Sequence, residues 1–386
     1  MLQSLYEAIV SFTQNVWEGS ELGTPSNRPL DPNLEDERQV VRKADATGDG
    51  NSLPDMPGGW LKRYERSFPK SKGVARKHIE QLWAQRQADK SGRAGNELHK
   101  CLILFGRPNT TPTRFLYELL QNADDNKYHD RARPILTITY TDNANGKTLR
   151  IDSNEIGFSA EDIEAICSVA NGQKLGDPSR IGEKGLGFKS VFSFSDSVWI
   201  TSGFYSFKLV SEKTVELGSV TPVWEVFPRQ RLPRHTSILL SLLPDSGCDA
   251  NELVAKLRSL EPALLFLRKL KEVKIKILQK DIKPWETSLE RRVTSFGIDN
   301  TSVHSILKDG VQHISYRVFR EEVSELGYDA QRSGRGKSDL MLAFPTGEPK
   351  SEDLYTFLPV ADFGLMVCRI VSLACNYTGL SADVLH

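Results

Sequence analysis

The sequence predicts an α+β protein in which helices cover one face of a mainly antiparallel sheet, followed by part of a second α/β domain. Three observations carry this prediction. Helical periodicity begins at Lys72 with GVARKHIEQLWAQRQ and returns after the break GRPNT in TPTRFLYELLQNADDNKY. The alternating segments ILTITY and TLRID flank Asn145-Gly146, a strong hairpin signal. Further strand-like runs, WITSGFYSFKLV, HTSILLSL and KEVKIKIL, follow at short intervals, and no repeat of fixed period is present.

Each element has a local reason. Residues 1–17 space Leu2, Leu5, Ile9 and Phe12 at roughly helical intervals, while Gly23 to Trp60 is rich in Pro, Gly, Asn and Asp and reads as flexible. DATGDGNSLPDM from Asp45 is not a calcium loop, because Thr47 stands where a carboxylate or amide is required and Met56 takes the place of the bidentate Glu. Thr111 and Pro112 suit the cap and first turn of the central helix. Ser159 with Asp162 is close to a capping box for SAEDIEAICSVA. A helix is expected near 250–270 in ELVAKLRSLEPALLFLRKL, and Lys274 and Lys276, alternating with Val273, Ile275 and Ile277, read as the wet face of a strand. The expected divisions are 1–71, a short helix and flexible segment; 72–280, the main domain; and 281–386, a partial second domain.

Composition narrows the function. Fifty Lys plus Arg balance fifty Asp plus Glu, so no overall charge draws the chain to nucleic acid or an anionic membrane. Five dispersed cysteines with no CxxC pair indicate thiols in a reducing compartment, cytoplasm or nucleus. No apolar run reaches the ~18 residues of a membrane span, and no signal peptide follows Met1.

The chemistry centres on ELLQNADDNKY, residues 118–128. At ~100° per residue, Glu118, Asn122 and Asp125 fall on one face, with Leu116, Leu119, Leu120 and Ala123 opposite. Asn and Asp disfavour helix interiors, so such a face suggests ligand oxygens rather than ordinary solvation. IGEKGLGFKSVF places Gly182, Gly185 and Gly187 in GxxGxG spacing, where backbone N–H groups approach phosphate closely. The polar GQKLGDPSR directly before it argues against a Rossmann turn, and there is no GxxxxGK[ST] P-loop.

The order of polar helix, IDSNEIGF turn, Gly-rich loop and a strand opening with Thr236 resembles the GHKL nucleotide-binding fold. More closely, ELLQNADDNKY, NEIGF and IGEKGLGFKSVF look like its sacsin and NO VEIN branch, over roughly Ala75 to Gly364. The resemblance implies a Bergerat-type α/β sandwich that binds ATP and Mg²⁺. By motif position, Glu118 matches the general base, Asn122 the Mg²⁺ ligand and Asp125 a carboxylate near the adenosine. Gly182, Gly185 and Gly187 match the phosphate lid, with Lys184 and Lys189 as phosphate partners; Gly157 and Thr236 match the adenine contacts. The usual adenine-reading Asp is replaced by Ser153, leaving Asp152, Asn154 or Glu155 as substitutes.

The implied function is a slow Mg²⁺-dependent ATPase working as a chaperone-like or clamp-like module. A non-catalytic nucleotide-sensing scaffold is the alternative, and a nucleic-acid-associated ATPase a weaker one. Glu118 suits hydrolysis better than phosphotransfer, and His78 in HIEQL reads as an ordinary helical residue. ATP and a protein client are the expected partners, without nucleic acid or membrane. Arg335 and Lys337 are the candidates for reaching the γ-phosphate, and LMVCRIVSLACNYTGLSADVLH departs from the family's pattern, so the second domain is expected to be incomplete.

Overall fold

A computed structural model describes residues 67–89, 114–168, 186–243, 250–296, 301–324, 337–346, 353–356, 358–362 and 369–373. They belong to one compact unit, 61–324 with 334–386; the other, 1–60 with 325–333, lies outside the described residues. So do the expected N-terminal helix, Thr111, Pro112, Gly182, Lys184, Gly185 and Arg335. Among the described residues the protein is α+β, with a large mainly antiparallel sheet and few helices.

The helices are α1 (Lys72–Asp89), α2 (Arg114–Asp125), α3 (Ala160–Ile166), the single turn α4 (Leu186–Lys189) and α5 (Ala250–Arg258). The strands nearest them are β1 (Ile135–Asn143), β2 (Gly146–Ser153), β3 (Ser195–Ser202), β4 (Tyr205–Val210), β5 (Val223–Trp224), β6 (Thr236–Leu242) and β7 (Glu272–Gln279). β8 (Trp285–Phe296), β9 (Thr301–Lys308), β10 (Val311–Ser324), β11 (Lys337–Pro345) and β14 (Arg369–Leu373) continue the same sheet, and β12 (Asp353–Thr356) pairs with β13 (Leu358–Asp362). The sheet order is β14-β11-β10-β9-β8-β7-β1-β2-β6-β3-β4-β5, and β1 with β7 is its parallel pair. The expected boundary at 280/281 therefore falls inside the β7–β8 hairpin of a continuous sheet. Beyond it, every regular element among the described residues is a strand.

Alternation along the strands sorts the two sheet faces. Leu136, Ile138 and Tyr140 of β1 lie beside Val273, Ile275 and Ile277 of β7, with Ile151 and Leu149 of β2 on the other side, all buried. Ile200 and Val198 of β3 and Phe207 and Leu209 of β4 extend the row. The same core takes in Ala75 and Ile79 of α1, Leu116, Leu119 and Leu120 of α2, and Ile163 of α3. Each such Leu or Ile contributes roughly 1.5–3 kcal/mol on burial. The opposite face carries Thr137, Thr139, Arg150, Lys274 and Lys276, all half-exposed. Lys274 pairs with Glu272 at 3.5 Å and Lys276 with Glu286 at 3.0 Å, which makes this the wet face expected from the alternation.

Local expectations are met with small shifts. Ser159 caps α3: its Oγ accepts from the Asp162 N–H at 3.2 Å, and Asp162 accepts from the Ser159 N–H at 2.9 Å. The hairpin turn is Ala144–Asn145, one residue earlier than expected, and Gly146, at φ +107°, opens β2. The helix expected over 250–270 is broken: α5 ends at Arg258, and Pro262, which has no N–H, sits in the first turn of a 3-10 helix, Glu261–Phe266.

One buried carboxylate locates α2. Asp124 accepts hydrogen bonds from the backbone N–H groups of Arg268 (2.7 Å), Lys269 (2.8 Å) and Leu270 (2.8 Å), just before β7. Lys269 returns the contact, donating from Nζ to the carbonyls of Asp125 (2.9 Å) and Asn126 (3.0 Å) at the helix end. Asp124→Ala leaves three backbone N–H groups without their acceptor, that of Leu270 buried, and urea denaturation is expected to show a loss of about 2–4 kcal/mol; a loss below about 1 kcal/mol would show that this contact does not hold the helix.

Candidate functional site

The site is built where the last turn of α2 meets the ends of β2 and β6. Along α2, Glu118, Asn122 and Asp125 are half-buried while Leu116, Leu119, Leu120 and Ala123 are buried, so one face packs and the other stays accessible. Asp124 sits about 120° round the helix from Glu118, outside that polar arc, and its role is the structural one just described.

Tyr128 joins this helix to the sheet. Its phenol donates to the Ala123 carbonyl at 2.8 Å and lies 3.0 Å from Ser153 Oγ. Burial, reinforced by the Glu155 and Asp124 carboxylates, pushes the Tyr128 phenol far above its usual value, so it keeps its proton. Ser153 is the register partner of Thr236, the first residue of β6. Thr236 Oγ1 in turn lies 2.7 Å from Ser202 Oγ, which accepts the Phe158 N–H at 2.8 Å. Tyr128, Ser153, Thr236 and Ser202 thus place a run of hydroxyls at the end of an otherwise apolar row.

Gly157 borders this run at φ +114°, a backbone conformation that disfavours a side chain. A Cβ there would stand 3.3 Å from Ser202 Oγ. A cleft of about 320 Å³ opens beside it, lined by Glu155, Ile156, Gly203, Arg231 and His235 among others. The larger cleft, about 390 Å³, lies between α1 and α3 around His78 and Glu164 and shares none of the candidate residues.

The neighbours proposed as substitutes for the missing aspartate are otherwise engaged. Asp152 points to the opposite sheet face, accepting from Arg150 Nε at 2.9 Å and Ser237 Oγ at 2.5 Å. Alternation forces this, since its neighbour Ser153 faces the helices. Asn154 braces the entry to β1, accepting from Ile135 N–H at 2.8 Å and donating to the Arg133 carbonyl at 2.7 Å. Glu155 is buried and accepts from Asn126 Nδ2. Ser153 therefore remains as the side chain at the motif position that faces Thr236.

Gly187 lies in α4, and Lys189 ends it. Sequence reasoning grouped Lys189 with the phosphate partners, but the structure turns it inward: it is 1% exposed, and its ammonium donates to the Ile166 carbonyl at 2.5 Å and the Ser219 carbonyl at 2.6 Å. Ser219 is itself fixed by Glu212, which accepts from its N–H at 2.9 Å and its Oγ at 2.6 Å. Lys189 is thus an anchor between the foot of the Gly-rich segment, the end of α3 and the β4–β5 connection. Phe115 of α2 stacks on Phe194 just beyond, with ring centroids 4.9 Å apart. Lys337 opens β11.

Comparison with known proteins covers the same segment. Residues 107–210 match the Sacsin domain. The Sacsin-domain match contains Glu118, Asn122, Asp125, Ser153, Gly157 and Lys189 and ends with β4, before Thr236. Over 128 residues, 33% of its length, the chain is 38% identical to Protein NO VEIN of Arabidopsis thaliana. Over 98 residues, 23% of its length, it is 34% identical to Sacsin of Homo sapiens. These stretches are 4% and 2% of the two relatives, so the chain is similar to a short part of each.

Burial pushes the Lys189 ammonium down to about 8. Below that pH the lysine is charged both folded and unfolded, and the cost of burying the charge is fully present. Between about 8 and the ordinary 10.5 only the unfolded chain is charged, so raising the pH relieves the cost. Thermal melts from pH 7.5 to 10 should therefore show the wild type gaining stability relative to Lys189→Met as pH rises; a constant difference would mean that the ammonium is not held in the folded interior.

Proposed function

We propose that this chain is a Mg²⁺-dependent ATP-binding protein and a slow ATPase, built on a Bergerat-type sandwich and working as a chaperone-like or clamp-like module. The observation that carries the reading is α2: a helix packed on one side displays Glu118, Asn122 and Asp125 on the other, and its last turn is fastened to the Ser153–Thr236 pair beside Gly157. The similarity to sacsin and NO VEIN supports it.

The residues present fit such a ligand. A side-chain amide with carboxylates suits a hard cation that keeps phosphate and water oxygens around it. Gly157, at φ +114°, packs its backbone close against the Ser202 hydroxyl and borders the cleft of about 320 Å³. Bound Mg²⁺ would supply charge neutralisation at the phosphates. Glu118 would orient a water and take its proton, Asn122 would hold the cation through Oδ1, and Asp125 would bond the ribose end. Gly182, Gly185, Gly187 and Lys184 remain the proposed phosphate lid, whose closure would change the module's shape or association.

A nucleotide-sensing scaffold without turnover is the second reading, favoured by Ser153 at the aspartate position. The weaker nucleic-acid reading draws on relatives in DNA repair and on the basic stretch 268–280, in which Lys274 and Lys276 face carboxylates.

Calorimetry and single-turnover hydrolysis with Mg²⁺ separate the two. The wild type is expected to bind and hydrolyse ATP, and Glu118→Ala to bind it within about threefold while losing roughly 10²–10⁴ in rate. Asn122→Ala is expected to lose the Mg²⁺ dependence of binding. Binding without turnover in the wild type would establish the scaffold, and no binding would remove the nucleotide reading.

A further inference from the structure

The connection between β5 and β6 departs from the charge balance of the chain. Residues 226–235, VFPRQRLPRH, hold three arginines and no carboxylate. Arg229, Arg231 and Arg234 are all exposed, as are Val226 (69%), Leu232 (38%) and, from the β3–β4 turn, Phe204 (48%). Arginine together with large apolar side chains is the composition of a recognition surface more than of a solvated loop. The loop is also held in place. Phe227 is buried and its N–H donates to Ser206 Oγ at 3.0 Å, Arg231 donates to the Gly203 carbonyl, and His235 Nδ1 donates to the Pro233 carbonyl at 2.8 Å. Pro228 and Pro233 fix their own φ angles. A surface already ordered loses little conformational entropy when a partner lands on it.

Arg234 supplies an independent observation. Its φ is +57°, the left-handed region in which a side chain costs conformational energy and glycine does not. Asp281 and Asp309 take the same conformation, but there a short polar side chain eases it. Strain kept at an exposed arginine, where glycine would relieve it, points to a side chain retained for what it binds. The cleft of about 320 Å³ lies against this loop, and Arg231, Leu232 and Arg234 line it together with Ile156 and Glu155.

We propose that the 226–235 loop and the cleft beside it form a docking surface for an acidic segment of another protein, whose carboxylates meet Arg229, Arg231 and Arg234 and whose apolar side chains meet Leu232 and Phe204. This goes beyond the nucleotide reading; of the residues given to the nucleotide, only Gly157 borders the cleft. The chemistry favours a peptide over other anions. Guanidinium groups take carboxylates through paired hydrogen bonds. Exposed Leu232, Val226 and Phe204 suit the apolar side chains of a peptide, whereas a nucleic acid binds chiefly through its phosphates. Glu155 sets a carboxylate in the cleft, which repels a polyanion but accepts the main-chain N–H groups of a peptide. A bilayer suits apolar groups spread over one face of a helix, whereas Leu232 here lines a concave cleft.

The test is fluorescence anisotropy with the full chain and a short fluorescein-labelled peptide that alternates leucine with glutamate and aspartate. The wild type is expected to bind it about fivefold or more tightly than the same peptide with serine in place of leucine, and to lose affinity as salt is raised. Arg234→Gly should weaken binding by about fivefold or more while the melting temperature holds or rises, because glycine suits φ +57°. A merely structural role for Arg234 would show the opposite, a lower melting temperature with binding intact. Arg229→Glu combined with Leu232→Ser, both at exposed positions, should abolish binding and carries the test if Arg234→Gly gives no cooperative melt. Binding that survives these substitutions, or absence of binding by folded wild type, overturns the inference. So does a preference for a single-stranded oligonucleotide or for phosphatidylserine vesicles over the peptide. The titrations contain no nucleotide, so each of these outcomes leaves the ATP reading to its own calorimetry.

Discussion

The Asp124 carboxylate is the contact on which the candidate site depends. It lies within the helix that presents Glu118, Asn122 and Asp125, yet it faces away from them and accepts three consecutive backbone N–H groups from residues 268–270. Those residues lead into β7, the parallel neighbour of β1, so a single side chain sets the height and rotation of α2 over the centre of the sheet. Charge-assisted bonds of this kind are shorter and stronger than neutral ones. The reciprocal bonds from Lys269 Nζ to the Asp125 and Asn126 carbonyls fix the end of the same helix. The polar arc can therefore be populated with poor helix formers without the helix unravelling.

Electrostatics divides the molecule in the same sense. On the open sheet face, ion pairs such as Lys276–Glu286 are solvated and contribute at most about 1 kcal/mol each. On the covered side, charges are few and committed: Asp124 to backbone donors, Lys189 to backbone carbonyls, Glu155 to Asn126. Lys189 belongs to the motif most suggestive of phosphate, yet its ammonium is turned inward onto backbone carbonyls.

Much of this was legible in the sequence, and the physical reasons for success and failure differ by residue. Period-2 and period-3.6 patterns located β1, β2, β7 and α2 because each buries one face and wets the other. Ser159 and Asp162 revealed a cap because capping is local chemistry, complete within four residues. The helix over 250–270 was misread because apolar content continues past Pro262 while the backbone cannot. Asp124 was overlooked because its partners lie far along the chain; only its angle, off the polar arc of its own helix, hinted at a separate role. Lys189 was misplaced because charge in a Gly-rich motif suggests a ligand, and nothing local discloses that the chain folds two carbonyls over it. Tyr128 and Ser202 were missed for the same reason, since a hydroxyl's importance here is set by which hydroxyl it faces.

The parallel pairing of β1 with β7 has a consequence for the order in which the molecule can be made. β1 is complete at Asn143, but its neighbour starts at Glu272, and the donors that seat Asp124 come just before it. A nascent chain that has reached only β2 can close the hairpin, but it holds α2 with a buried-to-be carboxylate and no N–H groups to receive it. Long-range pairing of this kind is slow to form and leaves apolar surface open meanwhile. Helix α2 is therefore synthesised well before the segment that locks it, and during that interval the growing chain itself is the kind of exposed, unfinished polypeptide that chaperones attend.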